Sequence, residues 1–167
     1  MPRATPIRMW GSLKADAPML DWDDVSARLA ASETYWVVNV PPGRGGVPAP
    51  RPVWGVWLDD RLLLSVGSTS VWKGLEADPA CAVHLGDAID VVILEGRARR
   101  FTGPFEEYVR VYNEKYSWSF TADDEAFVVN GTVEVAPTVV LAWRGATAAE
   151  SSSDMTFPSA AGRWFFD

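Results

Sequence analysis

Residues 51–96, RPVWGVWLDDRLLLSVGSTSVWKGLEADPACAVHLGDAIDVVILEG, carry the reading of the fold. RPVWGVWL and RLLLSVG are rich in β-branched and aromatic residues and are separated by Asp59-Asp60. Aspartate tolerates turn geometry and hydrogen-bonds its own backbone, so the pair reads as strand, tight turn, strand. SVWKGLEADP at 70–79 is short and polar and ends in proline, which predicts a helix of one or two turns. ACAVHL (80–85) and DVVILEGRARRF (90–101) then follow as two more strands around a Gly86-Asp87 turn.

Outward from this stretch the same alternation continues. On the N-terminal side, ETYWVVNV (33–40) reads as a strand broken by PPGRGG at 41–46. Before it, Asp21 is placed as an N-cap and Trp22, Val25 and Leu29 fall on one helical face. On the C-terminal side, Gly103-Pro104 opens FEEYVRVYNEKYSW, where Phe105, Tyr108, Val109, Tyr112 and Tyr116 share a face. Asp123-Asp124-Glu125 reads as a solvated loop or a helix start, and TVEVAPTVVLAW (132–143) as the last strand. A small-residue loop at 146–155 precedes GRWFFD, an apolar tail that needs something to pack on. Strands are expected near 34–40, 50–58, 61–66, 80–86, 90–101 and 132–143, and helices near 22–31 and 104–116. The expected fold class is mainly β: a six-stranded, mostly antiparallel barrel with helical additions, in place of an alternating parallel α/β sheet. One domain is expected over 1–167, with an N-terminal extension 1–20 and a C-terminal tail 145–167.

Composition limits the partners. Fifteen Lys+Arg against 22 Asp+Glu give a net charge of −7, which repels phosphate backbones and anionic membranes, so neither nucleic acid nor membrane is an expected partner. The longest apolar runs are strand-sized. A single cysteine forms no internal disulfide, and MPRATPIRMWGSL lacks a signal-peptide core, so a cytoplasmic location is expected.

Few residues advertise chemistry. His84 is the one histidine, which leaves a multi-histidine metal site out of reach, and as a strand residue it reads first as structural. Cys81 in the same run reads as a buried filler. PPGRGG lacks the Lys-Ser/Thr ending of a phosphate loop and reads as a hairpin connection. Tyr35, His84 and Tyr116 are open as proton donors, none with a motif behind it, so catalytic residues are left unassigned.

Taken in order, the pieces DWDDVSARLAASETYWVV, RPVWGVW, LEADP, VHL, VVILEG, the helix ending in EKY, VVLAW and Arg163-Trp164 are informative together. From about Leu20 to Phe166 the chain resembles the FMN-binding split-barrel proteins, the pyridoxamine 5′-phosphate oxidase-like superfamily that includes deazaflavin (coenzyme F420) dependent oxidoreductases. The resemblance implies a homodimer with a flat cofactor, F420 or FMN, in grooves at the interface. It implies ring-binding positions at Arg51, Val53, Trp54 and Ser65, and a phosphate region at Ser68, Thr69, Ser70 and Lys73, with Arg51 as the phosphate arginine. It further implies that Trp143, Arg163 and Trp164 border the cofactor, with the aromatic tail around Trp164 given by the partner chain. An extended strand would offer N–H and C=O groups to the ring, and aromatic walls would exclude water.

The chain also departs from that pattern. Flavin-binding members commonly carry a Ser-Arg-Lys run before the short helix and a lysine later in the second strand; Thr69-Ser70-Val71 and Val56 stand there. Charge-assisted hydrogen bonds contribute roughly 1.5–3 kcal/mol each, so three absent cations weaken the usual FMN grip by about 4–9 kcal/mol. Val91 replaces a ring-contacting glutamine, and the terminal arginine pair is reduced to Arg163. A true pyridoxamine phosphate oxidase is therefore not expected. The expectation is an oxidoreductase moving a hydride between F420 or FMN and a small apolar or aromatic substrate. Arginine outnumbers lysine 12 to 3, a bias of GC-rich genomes that tilts the reading toward the deazaflavin. The alternative is a non-redox enzyme, or a protein binding a flat ligand such as haem or another tetrapyrrole, with His84 as axial ligand.

Overall fold

Asp59 and Asp60 join two strands with φ of 50° and 56°, left-handed at both turn residues, the backbone whose twist matches an antiparallel hairpin. The structure is a computed structural model that describes residues 1–7, 18–67, 69–145 and 160–166. In chain order it contains β1 (Arg3–Thr5), α1 (Trp22–Ala31), β2 (Tyr35–Asn39), β3 (Ala49–Leu58), β4 (Arg61–Ser65), α2 (Ser70–Ala77), β5 (Ala80–His84) and β6 (Asp90–Arg100). Then follow α3 (Glu106–Tyr116), a π-helical turn (Glu125–Val129), β7 (Thr132–Arg144) and β8 (Ala160–Phe165). The strands run β1-β8-β7-β4-β3-β2-β5-β6, and a further β6–β7 pairing closes six of them, β2 to β7, into an antiparallel barrel.

β7 is where the barrel divides. Its first residues, Thr132–Val135, pair with β4, and from Val139 onward the same edge pairs with β8 instead. β6 follows β7 along both halves, with a register shift between Glu95 and Gly96. The barrel interior is filled by Val37, Val53, Trp57, Leu64, Val83 and Leu94, among others. α1 contributes Val25 and Leu29 to that core, and α2 contributes Val71 and Leu75. The Trp57 indole is fixed by donating to Ser26 Oγ at 2.9 Å. Because strand side chains alternate, β3 also feeds a second core: Val56 faces out with Leu63 and is covered by Tyr108, Val109 and Tyr112 of α3. Each such buried side chain contributes about 1.5–3 kcal/mol.

The barrel and its helices follow the sequence expectation; the ends of the chain do not. β1 and β8 are strands that the sequence reading left as extension and tail. Trp164, expected to reach a partner's groove, is 1% exposed and packs in this chain's own barrel core against Trp22. Pairing of β8 with β7 turns Trp164 inward beside Val140, so the indole supplies core area where it is and none to a partner. Gly162 makes room for it, since a Cβ there would lie 2.5 Å from the indole ring. The acidic stretch at 123–125 is a helix start: Asp124 caps the π-helical turn by accepting from the Phe127 N–H. No described helix is long and apolar enough to cross a membrane.

Candidate functional site

Where β4 ends at Ser65, the chain turns away into α2 and leaves the first half of β3 without a partner on that side. β4 pairs with β3 only from Trp54 to Leu58, whereas β2 pairs with it from Ala49 to Val53. The space so opened is a groove of about 460 Å³ lined by Arg51, Pro52, Val53, Trp54, Ser65, Val66, Thr69, Ser70, Val71 and Tyr112. Six of the expected site residues meet there: Arg51, Val53, Trp54, Ser65, Thr69 and Ser70. Ser68 lies outside the described residues. Lys73 is exposed on α2 and is not among the lining residues. Trp143 and Arg163, both half-buried on β7 and β8, line it neither, and Trp164 is in the core.

The floor of the groove is aromatic. Trp54, 47% exposed, stacks on Tyr116 with ring centroids 5.1 Å apart. Tyr112, the next ring along α3, lies 4.6 Å from Tyr116, and its hydroxyl meets Ser65. Burial raises the Tyr112 phenol above its ordinary range and the contact with Ser65 works against that rise, so the group is neutral at physiological pH.

The strand edge carries a different donor pattern from the one expected. Gly55 turns its N–H to the Tyr116 hydroxyl and its C=O to that hydroxyl and to Lys115 Nζ, all on the α3 side. The two-residue period of a strand then turns the backbone groups of Pro50 and Pro52 to the open groove side. Proline has no N–H, so these two residues offer acceptors only, and the Pro50 carbonyl already accepts from Arg51 Nη1 at 2.8 Å. Donors come instead from α2. Among the described residues no side chain caps its N-terminus, so they leave the first-turn N–H groups beside Thr69, Ser70 and Val71 open to a ligand or to solvent. The sequence reading missed this: it counted side-chain cations, whereas a helix N-terminus supplies positive potential from the backbone.

The residues proposed as proton donors are engaged elsewhere. Tyr35 is fully buried and donates to the Leu29 carbonyl at 2.6 Å, and burial drives its phenol pKa far upward. The Tyr116 hydroxyl contacts the Glu33 carbonyl and both backbone groups of Gly55, with burial as the main cause of a pKa near 12. His84 faces a separate groove. Cys81 is buried, donates weakly to the Gly96 carbonyl and is pushed up to about 11 by burial, so it acts as filler. Among the described residues no cluster of His, Cys, Asp and Glu is arranged to hold a metal ion.

No family model matches the sequence, and no curated protein matches it. Solved structures do resemble the fold. A FAD-binding protein from Mesorhizobium loti superposes with a TM-score of 0.55 at 14% identity, over 86% of this chain and 94% of the other. An F420 reductase gives 0.51 at 18% identity, over 68% and 93%. A heme binding protein from Mycobacterium smegmatis gives 0.54 at 17% identity, over 70% and 52%. The sequence of strands, the closure of β6 on β7 and these superpositions agree: the chain has the split-barrel fold of the pyridoxamine 5′-phosphate oxidase-like proteins.

Proposed function

We propose that this protein is an oxidoreductase that holds a deazaflavin (F420) or FMN in the groove between β3, β4 and α2. The observation that carries the reading is the convergence of Arg51, Trp54, Ser65 and the uncapped start of α2 on one aromatic-floored groove. The fit favours a phosphodiester over a terminal phosphate. Two positions where flavin-binding relatives place cations are Val71, in the barrel core, and Val56, fully buried under α3. Neither accommodates an ammonium without removing apolar contacts. What remains for a phosphate is Arg51, the hydroxyls of Thr69 and Ser70, and the α2 N–H groups, a set suited to a single negative charge.

The bound cofactor would supply hydride chemistry on a small apolar or aromatic substrate. This chain would supply a flat wall from Trp54, hydroxyl groups from Ser65 and Tyr112, acceptors from the open edge of β3, and exclusion of water by the aromatic floor. A homodimer with its grooves at the interface belongs to the same reading, resting on the exposed Trp54 indole. Haem is the weaker reading, because the groove around His84 has no lysine or arginine among its lining residues and includes Asp87, which repels propionates.

Fluorescence titration of the purified protein with F420 and with FMN tests the reading. F420 is expected to bind at least as tightly as FMN, and binding of neither overturns it. Light scattering at micromolar concentration tests the dimer, which a monomeric mass would exclude.

A further inference from the structure

Beyond the end of α3 the chain carries aromatic rings out into solvent. Trp118 is 50% exposed and Phe127 60%. Both lie nearly parallel to Phe120: the Trp118 ring is 5.1 Å away at 8°, and the Phe127 ring 5.5 Å away at 22°. They stack on Phe120 and not on each other, so the three rings form a row with half-buried Phe120 in the middle. Tyr112 of α3, 6.0 Å from Phe120, ties the row to the core beneath that helix.

Specific polar bonds hold the row where it is. Asn113 of α3 grips the backbone of Phe120 twice: its Nδ2 donates to the Phe120 carbonyl at 2.9 Å and its Oδ1 accepts from the Phe120 N–H at 3.1 Å. Asp124 Oδ1 accepts from the Phe127 N–H at 3.0 Å. Single exposed apolar side chains are ordinary, but a stacked row of large rings fixed in solvent is a contact surface.

Charge says what the surface contacts. From 117 to 131 the chain carries Asp123, Asp124 and Glu125 and no lysine, arginine or histidine. Two of these carboxylates are tied to the row: Asp124 to the N–H of Phe127 itself, and Asp123 to the hydroxyl of Thr121, the residue after Phe120, at 2.6 Å. The bond from Thr121 holds Asp123 below its ordinary pKa, so it is ionised at neutral pH. The cations of α3 are engaged elsewhere: Arg110 pairs with Glu107 and Glu114, and Lys115 reaches Ala30, Tyr35 and Gly55. Among the described residues no cation lies over any of the three rings.

An aromatic face attracts a cation, and a neighbouring carboxylate pairs with it. A guanidinium does both at once, lying flat on a ring while its fork meets a carboxylate; an ammonium is a more strongly hydrated point charge. Trp118 and Phe127 stand on opposite sides of Phe120, so covering both takes a chain with more than one such group. A second copy of this protein brings a net charge of −7 to a patch that is already acidic, which disfavours it as the occupant. We infer that the Trp118, Phe120 and Phe127 row is a docking surface for an arginine-rich segment of another protein. The surface does not depend on the cofactor reading of the groove between β3, β4 and α2.

The test is an NMR titration of the ¹⁵N-labelled protein with the peptide acetyl-(Gly-Arg)4-amide and, separately, with acetyl-(Gly-Lys)4-amide, at about 0.15 M salt so that charges on other elements are screened. Amide signals of residues 117–130 should move saturably with the arginine peptide, and the lysine peptide should bind about two- to fivefold more weakly. Trp118→Ala with Phe127→Ala should weaken the arginine peptide about five- to thirtyfold, the range of two exposed cation–π contacts. Asp123→Asn with Asp124→Asn keeps both hydrogen-bond acceptors and removes the charge, and should cost about two- to fivefold. Asp23→Asn with Asp24→Asn removes the same charge from the exposed side of α1 and should change affinity by less than about twofold. Signals of 117–130 that do not move overturn the proposal, including the case in which a second copy covers the rings. So do shifts spread evenly over the protein, an equal loss in the two charge variants, or unchanged binding without the two rings. Equal affinity of the wild type for the two peptides overturns it whatever the folding of any variant.

Discussion

Trp54 lies flat on Tyr116, 9° from parallel, and the Tyr116 hydroxyl is bonded to the backbone of Gly55, the residue next to Trp54. The last residue of α3 therefore holds both the ring on the groove floor and the strand that carries it.

Replacing this tyrosine separates the two contacts. In Tyr116→Phe the stack is kept, while the Gly55 N–H loses its acceptor and the Glu33 carbonyl its donor. Leaving part-buried groups unpaired costs about 1–3 kcal/mol. Urea denaturation should show that loss, and affinity for a cofactor in the first groove should change much less than in Trp54→Ala.

Lys115 gives stability a signature in pH. Its Nζ donates to the carbonyls of Ala30 and Gly55 and to the Tyr35 hydroxyl, each at 3.1 Å. Burial lowers its pKa from 10.5 to about 8, with Glu33 opposing. Between those values the unfolded chain binds more protons than the folded one, so stability rises as pH climbs through the window. Buried Tyr35 and Tyr108, whose pKa values are raised, act in the opposite sense: above about 10 the unfolded phenols lose protons first, and stability falls. Urea midpoints measured from pH 7 to 11 should rise and then fall in the wild type. Lys115→Met should lose the rise and keep the fall.

Trp164 tests where the tail belongs. It is enclosed by its own chain and touches Trp22, which in turn meets Trp57 and Phe166. Trp164→Ala should cost about 3–5 kcal/mol of folding stability, the range for an aromatic side chain removed from a core. A loss below about 1 kcal/mol would place the indole outside the core, contrary to the packing described.

Ser70→Arg probes the first groove. Ser70 is exposed at the first position of α2 and lines the groove, so an arginine there reaches a bound phosphate without disturbing the barrel. A charge-assisted contact worth roughly 1.5–3 kcal/mol, less about 1.5–2 kcal/mol of side-chain ordering, leaves at most about a tenfold gain in FMN affinity. The gain should exceed that for F420, measured by fluorescence titration of both cofactors. The companion change Val71→Lys is unsuitable, because Val71 is 5% exposed within the core and an ammonium there is desolvated.

The elements of the barrel were legible because each depends on neighbours in the chain. The turn at Asp59-Asp60, the alternation through VVILEG and the apolar face of FEEYVRVYNEKY are local signals, and local backbone and burial preferences settle them. Side-chain chemistry was much less legible, for an equally physical reason. A phenol's role is set by the partner its hydroxyl finds, and for Tyr116 that partner is Gly55, 61 residues away. Lys115 drew no notice in the sequence, yet it reaches 85 residues back to Ala30. Ala160–Phe165 carries no clear strand pattern alone; it becomes a strand because β7 leaves β4 at Val135 and its free edge takes up β8 from Val139 onward. The sequence by itself determined which segments could be strands and helices, since that choice is made over a few residues. The tertiary structure decided which hydroxyl, indole and backbone edge faces a groove, since pairing between distant strands brings those groups together and a one-residue change of register would turn each to the opposite face.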